Sequence, residues 1–203
     1  MTGKGKPRKG DMETSFTIRS FDAPMPLTEY RTLPKHPLYI ILDNLRSAFN
    51  VGAMFRLCDG MRVSGLFLCG YTAYPPHVKL DKTSLGTIDY VPWRHFDTTL
   101  EAIRFLRERG IAVWAAETTS HSVDYRTCDY PQPLGVVFGN EALGVEKEVL
   151  GACDQLVEIP LYGFKNSLNV ATSCAVIGFR AIEAMGRKDV ISSTGGSVNP
   201  LIS

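Results

Sequence analysis

No apolar run in this chain approaches the roughly 20 residues that cross a bilayer, and the opening MTGKGKPRKG holds no apolar leader segment. Both absences predict a cytoplasmic protein. An excess of one charge is missing too: 22 Lys and Arg stand against 21 Asp and Glu, a formal net charge of +1. That balance excludes a global field drawing the protein to nucleic acid or to an anionic membrane, so an anionic partner has to be held locally. Cys58, Cys69, Cys128, Cys153 and Cys174 form no CxxC pair and lie in apolar segments, the usage of reduced core thiols. His36, His77, His95 and His121 stand in no HxxxH frame, and no metal site is expected. G-x-G-x-x-G and the Walker lysine pattern are also lacking, which weighs against dinucleotide and phosphate-loop enzymes.

What the chain does contain is 44% hydrophobic residues over 203 positions, enough for one domain of about 150 residues with loose ends. Residues 1–36 carry Pro7, Pro24, Pro26 and Pro34, little periodicity, and a basic tip of Lys4, Lys6, Arg8 and Lys9. They are expected to form a partly flexible arm, and residues 189–203 a flexible tail. Between them, residues 37–188 alternate aliphatic runs with amphipathic ones. The former are LYIILD (38–43), GLFLCG (65–70), DYVPW (89–93), IAVWAA (111–116), LGVVFG (134–139) and QLVEIP (155–160). The helical patterns are NVGAMFRLCDGMRV (50–63), TTLEAIRFLRERG (98–110), EALGVEKEVLGAC (141–153) and SLNVATSCAVIGFRAIEAMG (167–186). Unbroken aliphatic strands interleaved with helices predict an α/β fold, a parallel sheet covered on both faces. Ligands of such sheets sit at the carboxyl ends of the strands. Here those ends fall in the loops Asn44–Asn50, Glu117–Asp124, Gly139–Glu141 and Leu161–Ser167.

Within these loops each notable residue has a plain reading beside a chemical one. In the helix after Asn50 the apolar stripe is Val51, Met54, Phe55 and Cys58, so Arg56 points away from the sheet. It is either a solvated arginine or a group aimed at a ligand. Asn50 is equally an N-cap. Asn140 is a candidate cap for a helix starting at 141, with Glu141 in the first turn suiting the positive helix end. Gly139 would let a ligand approach the backbone. In the last helix Val170, Cys174, Ile177, Ala181 and Met185 make one stripe, while Val176 and Phe179 lie off it. A helix apolar on more than one side needs a second cover, which predicts a homodimer. The same helix needs one cap and offers three, Asn166, Ser167 and Asn169; the surplus could meet a bound ligand.

Three ordered blocks, NLRSAFNVGAMFRLCDG, LGVVFGNEALGVEKEVL and VEIPLYGFKNSLNVATSCAVIGF, together with PPHVKLDKTSLGTIDYVPW between the first two, resemble the motifs of the TrmH (SpoU) family of SPOUT RNA 2′-O-ribose methyltransferases over roughly residues 37–186. The resemblance implies a parallel sheet with a C-terminal deep trefoil knot, a homodimer, S-adenosylmethionine as cofactor, and methylation of a ribose hydroxyl in tRNA or rRNA. By motif position Asn50, Arg56, Glu141, Ser167 and Asn169 match the family's catalytic set. Glu117, Gly139, Asn140, Ile159, Leu161, Ser167 and Leu168 fall where the family holds its cofactor.

A neutral sugar hydroxyl is a poor nucleophile, so such a site must remove its proton or stabilise the nascent alkoxide. Arginine is essentially never deprotonated, which makes Arg56 a cation for that oxygen or its flanking phosphate rather than a base. The resemblance further suggests that Glu141 orients Arg56 or accepts a proton, and that Arg56 completes the site of a partner subunit. Arg46, Lys79, Lys82, Arg94 and Lys165 are candidate RNA contacts. Two rival readings are a SPOUT base methyltransferase, whose members lack the N-x-G-x-x-x-R pattern seen here, and an RNA-binding or assembly protein with a degenerate cofactor site.

Overall fold

Leu38, Ile40 and Leu42 turn to one face of the first strand and Ile41 to the other, and all four are fully buried. That is why the run is aliphatic throughout instead of alternating: it lies at the middle of a sheet covered on both sides. The computed structural model describes residues 22–23 and 25–186; the basic tip of the arm and the C-terminal tail fall outside them. A first helix, α1 (Leu27–Tyr30), is one turn entered from Pro26. Residues Pro34–Arg187 form a unit of their own.

In that unit β1 (His36–Asp43), β2 (Val63–Cys69), β3 (Trp93–Phe96), β4 (Ala112–Ala116), β5 (Val123–Asp124), β6 (Leu134–Phe138) and β7 (Gln155–Glu158) pair in the order β3-β2-β1-β6-β4-β7-β5. Every pairing is parallel. One face is covered by α2 (Ala48–Met61), α3 (Val78–Thr83) and α6 (Val170–Ala184), the other by α4 (Thr99–Arg107) and α5 (Lys147–Ala152). The α2 stripe of Val51, Met54, Phe55 and Cys58 is buried and Arg56 is exposed, as the spacing predicts. The chain runs from β1 towards β3 and from β6 towards β7, in opposite directions. The crevice beyond β1 and β6 is therefore the switch point at which open α/β sheets bind ligands.

Several boundaries differ from the sequence reading. Helix α2 begins earlier than residue 50 and is capped by Ser47, whose hydroxyl accepts the Asn50 amide at 3.3 Å; Asn50 is not the cap, and its side chain is left for other partners. The pattern at 141–153 is helical only over α5, because Gly144 takes φ +71° and a bridge between Asn140 and Gly144 closes a tight turn first. At 89–93 the strand shifts to β3, since Pro92 has no N–H for the ladder and Thr87–Asp89 coils into a 3-10 turn. Of the three candidate caps for α6, Asn169 serves.

The cysteines are free, and burial pushes the thiols of Cys69 and Cys174 up to about 12, so they are inert core residues. Helix α4 opens with a full capping box between Thr98 and Glu101. Thr98→Ala removes it and is expected to cost about 1 kcal/mol, read as a lower midpoint in urea with an unchanged slope.

Candidate active site

The crevice is built from hydrogen bonds among loops far apart in the chain. At the end of β1 the buried Asp43 accepts the Thr99 hydroxyl at 2.5 Å and the Glu146 amide at 3.1 Å, tying the start of α4 and the turn after β6 to one carboxylate. Asn140 is saturated. Its Nδ2 donates to the Asn44 carbonyl and to the Tyr71 hydroxyl, each at 2.7 Å, and its Oδ1 accepts the amides of Ala142 and Leu143 at 2.8 and 3.1 Å. It holds a turn that is not helical and caps no helix.

That turn delivers Glu141 to the loop before α2. One carboxylate oxygen accepts the Arg46 amide at 2.9 Å; the other accepts the Ser47 amide at 3.1 Å and Asn50 Nδ2 at 2.8 Å. Asn50 Oδ1 in turn accepts Asn169 Nδ2 at 3.1 Å, while Asn169 Oδ1 caps α6 through the amides of Ala171 and Thr172. Glu141, Asn50 and Asn169, separated by 91 and 119 positions, thus form one continuous chain of hydrogen bonds. Partial burial by itself would raise the Glu141 carboxyl, but the Arg46 amide, the Asn50 side chain and the Ser47 amide together hold it below its ordinary value. An ionised carboxylate already engaged by three N–H donors is a poor proton acceptor, and of the two roles expected for Glu141 this geometry disfavours that one.

The chain of bonds borders a cleft of about 580 Å³, within the range of roughly 300–1,000 Å³ typical of small-molecule sites. Every residue the resemblance assigned to the cofactor lines it: Glu117, Gly139, Asn140, Ile159, Leu161, Ser167 and Leu168. So do Asn50, Glu141 and Asn169, and also Asn166. Glu117 is fixed by the amides of Thr118 and Val145, at 3.0 and 2.9 Å. A Cβ on Gly139 would collide with the backbone of Gly144 and Val145, so the fold itself already requires a glycine there.

Arg56 is not in this cleft. It lies exposed on α2, six residues beyond Asn50 and about 9 Å along the axis, and makes no hydrogen bond or ion pair among the described residues. The RNA candidates divide as well. Lys79 and Lys82 are exposed on α3, Lys165 lies 5.8 Å from the Phe164 ring centroid, and Arg46 contributes its backbone. Arg94 stacks over Phe96 and Phe105 at 4.6 and 4.8 Å, on the α4 side of the sheet. Sequence reasoning missed Asp43, Asn44, Tyr71 and Thr72, which buttress the loops; Thr72 accepts the Leu45 amide at 2.9 Å. For Asp43 and Asn44 the available signal was a polar pair directly after five buried-type residues.

Comparison with known proteins identifies the family and the fold. The SpoU rRNA Methylase family matches residues 37–179. The chain is 36% identical over 144 residues to the tRNA (guanosine(18)-2′-O)-methyltransferase of Thermus thermophilus, covering 71% of this chain and 73% of that one. Among solved structures it superposes on the AdoMet-bound rRNA methyltransferase of Sinorhizobium meliloti with a TM-score of 0.68 at 31% identity, covering 76% of this chain and 59% of that longer one. It superposes on the TrmH/SpoU tRNA modifying enzyme of A. aeolicus with a TM-score of 0.70 at 26% identity, covering 78% and 80%.

Proposed function

The chain belongs to the SpoU rRNA Methylase family, and from that premise we propose that it methylates a ribose 2′-hydroxyl of tRNA or rRNA with S-adenosylmethionine as donor. The observation that carries the reading is the hydrogen-bonded chain Glu141–Asn50–Asn169, which gathers three sequence motifs at one cleft. The cleft suits the cofactor. Among the described residues its lining includes the carboxylates of Glu117, Glu141 and Glu158 and no lysine or arginine, an environment for a sulfonium cation. Ile159, Leu161 and Leu168 supply an apolar wall for the adenosyl group, and Ser167 and Asn166 supply hydroxyl and amide groups.

When bound, S-adenosylmethionine supplies an electrophilic methyl group. The chain's own residues then have to hold a ribose in line and stabilise the oxygen as its proton leaves to solvent. We assign the first task to Asn50 and Asn169, which line the cleft. The second needs a cation, and the lining of a single cleft offers none among the described residues. Phe49 and Arg56, seven residues apart, share one outward face of α2, and Phe49 is 71% exposed. Phe179 on the neighbouring α6 is 50% exposed. A homodimer that covers these phenylalanines and sets Arg56 at the partner's cleft supplies both the missing cation and the missing cover. The resemblance adds a trefoil knot formed by the C-terminal segment. It is supported by the return of α6 from the β7 side of the sheet to pack against α2 and β1. No helix among the described residues is long and apolar enough to cross a membrane, and the cytoplasm is where tRNA and rRNA substrates would be met.

Mapping of 2′-O-methyl positions in total RNA from cells with and without the protein tests the reading. One ribose should lose its protection from alkaline cleavage when the protein is absent. A lost base methylation with all ribose positions intact would replace this reaction by methylation of a nitrogen.

A further inference from the structure

Tyr71 is 61% exposed, yet its hydroxyl is fixed at 2.7 Å by Asn140, the residue that sets the turn carrying Glu141. Its backbone amide is also tied, to Asn44 Oδ1 at 3.3 Å. An aromatic ring held at both ends and left open to solvent beside a cleft is preorganised for contact with a flat ligand. It does not stand alone. Tyr74, 44% exposed, packs against His95 with centroids 4.1 Å apart and planes tilted by 35°, and His95 Nε2 is 3.0 Å from the Gly70 carbonyl. Along β3 the side chains alternate, and Arg94 and Phe96 turn to the α4 side. Trp93, 36% exposed, and His95 therefore turn to the side of α2 and α3, where Lys79 and Lys82 stand exposed.

We propose that Tyr71, the Tyr74–His95 pair and Trp93 form a base-stacking track for single-stranded RNA leading to the cleft, with the α3 lysines following its phosphates. The inference deepens the proposed methyltransferase reading and rests on it. Two features of the surface select RNA as the occupant: exposed aromatic rings, on which any base can stack, and cations on the same layer, in a protein whose net charge of +1 gives no general attraction. The track is continuous with the site through the Tyr71–Asn140 bond, so a strand lying on it enters beside Glu141 and Asn50.

The test is binding of a fluorescently labelled oligoadenylate, without cofactor, to the full chain and to Tyr71→Leu, Tyr71→Phe, Tyr74→Leu and the double change Lys79→Ala with Lys82→Ala. Loss of a stacked base is expected to raise Kd about tenfold in Tyr71→Leu and in Tyr74→Leu, with the salt slope unchanged. Tyr71→Phe keeps the ring and gives up only the bond to Asn140, so its Kd stays within about twofold of wild type. The lysine changes lower the salt slope by about one for each phosphate that is no longer neutralised. Equal losses in Tyr71→Phe and Tyr71→Leu would mean that the tyrosine only props Asn140, and this would overturn the track. Unchanged affinity in Tyr71→Leu and Tyr74→Leu would overturn it too, as would a wild-type protein that binds no RNA. Because cofactor and turnover play no part in these measurements, a wild type that shows the expected pattern of affinities but yields no 2′-O-methyl ribose would sink the enzymatic reading alone.

Discussion

Arg56→Ala lowers turnover roughly 10²- to 10³-fold, the usual loss when one preorganised donor to a developing oxyanion is removed, while the melting temperature and the affinity for S-adenosylmethionine stay at wild-type values. Neither of the latter changes because the side chain makes no hydrogen bond or ion pair within its own chain among the described residues and is assigned to the substrate oxygen, not to the cofactor. The proposed dimer predicts which subunit it serves. Mixed with Glu141→Ala, Arg56→Ala should regain activity: the Arg56→Ala subunit keeps an intact cleft and receives its arginine from the partner. If Arg56 acted within its own chain, no site in the mixture would hold both residues, and activity would stay at the level of the separate variants. That outcome would remove the proposed role of the dimer.

The second large effect belongs to Glu141. Glu141→Ala leaves the amides of Arg46 and Ser47 and the Asn50 side chain without their acceptor and unties the turn after β6 from the loop before α2. Hydrogen bonds to a charged acceptor contribute roughly 1.5–3 kcal/mol when buried, and exposure to solvent cuts this down. Turnover is expected to fall roughly 10- to 100-fold, with cofactor affinity falling alongside because the turn also forms a wall of the cleft. This pattern separates an anchor from a base. A carboxylate acting as proton acceptor would lose turnover alone and leave binding intact.

The pH dependence carries the same distinction. The folded carboxyl of Glu141 lies below its ordinary value of 4.5, so its stabilising contribution is complete above that value and is lost only as pH falls through the depressed one. In thermal melts the deficit of Glu141→Gln relative to wild type should hold steady from neutral pH down to about 5 and shrink only below 4.5. A deficit that already shrinks between pH 7 and 5 would mean a raised carboxyl, and with it a candidate base.

Local pattern made the elements legible because burial on two faces leaves a mark in every residue of a strand. The aliphatic runs at 38–43, 65–70, 111–116 and 134–139 each hold a strand of the parallel sheet, and the α2 stripe is buried at every position its spacing marks. Patterns failed where one backbone geometry outweighed propensity. The positive φ of Gly144 and the Asn140 turn stop a sequence that reads as helix from 141 onwards, and Pro92 moves β3 downstream.

For the site, the sequence by itself determined which residue types stand at the carboxyl ends of the strands: Asn50, Glu117, Glu141 and Asn169 are all in loops or first turns, and all line the cleft. Their partners were decided only by tertiary structure. A hydrogen bond depends on a few tenths of an ångström between groups up to 119 positions apart, and nothing in the neighbourhood of either residue encodes that distance. The chain's periodicity put Arg56 on the outer face of α2, but only the packed fold set it apart from the cleft it resembles a part of. The direction of a side chain is local information; what lies opposite it is fixed by how the whole sheet and its helices come together.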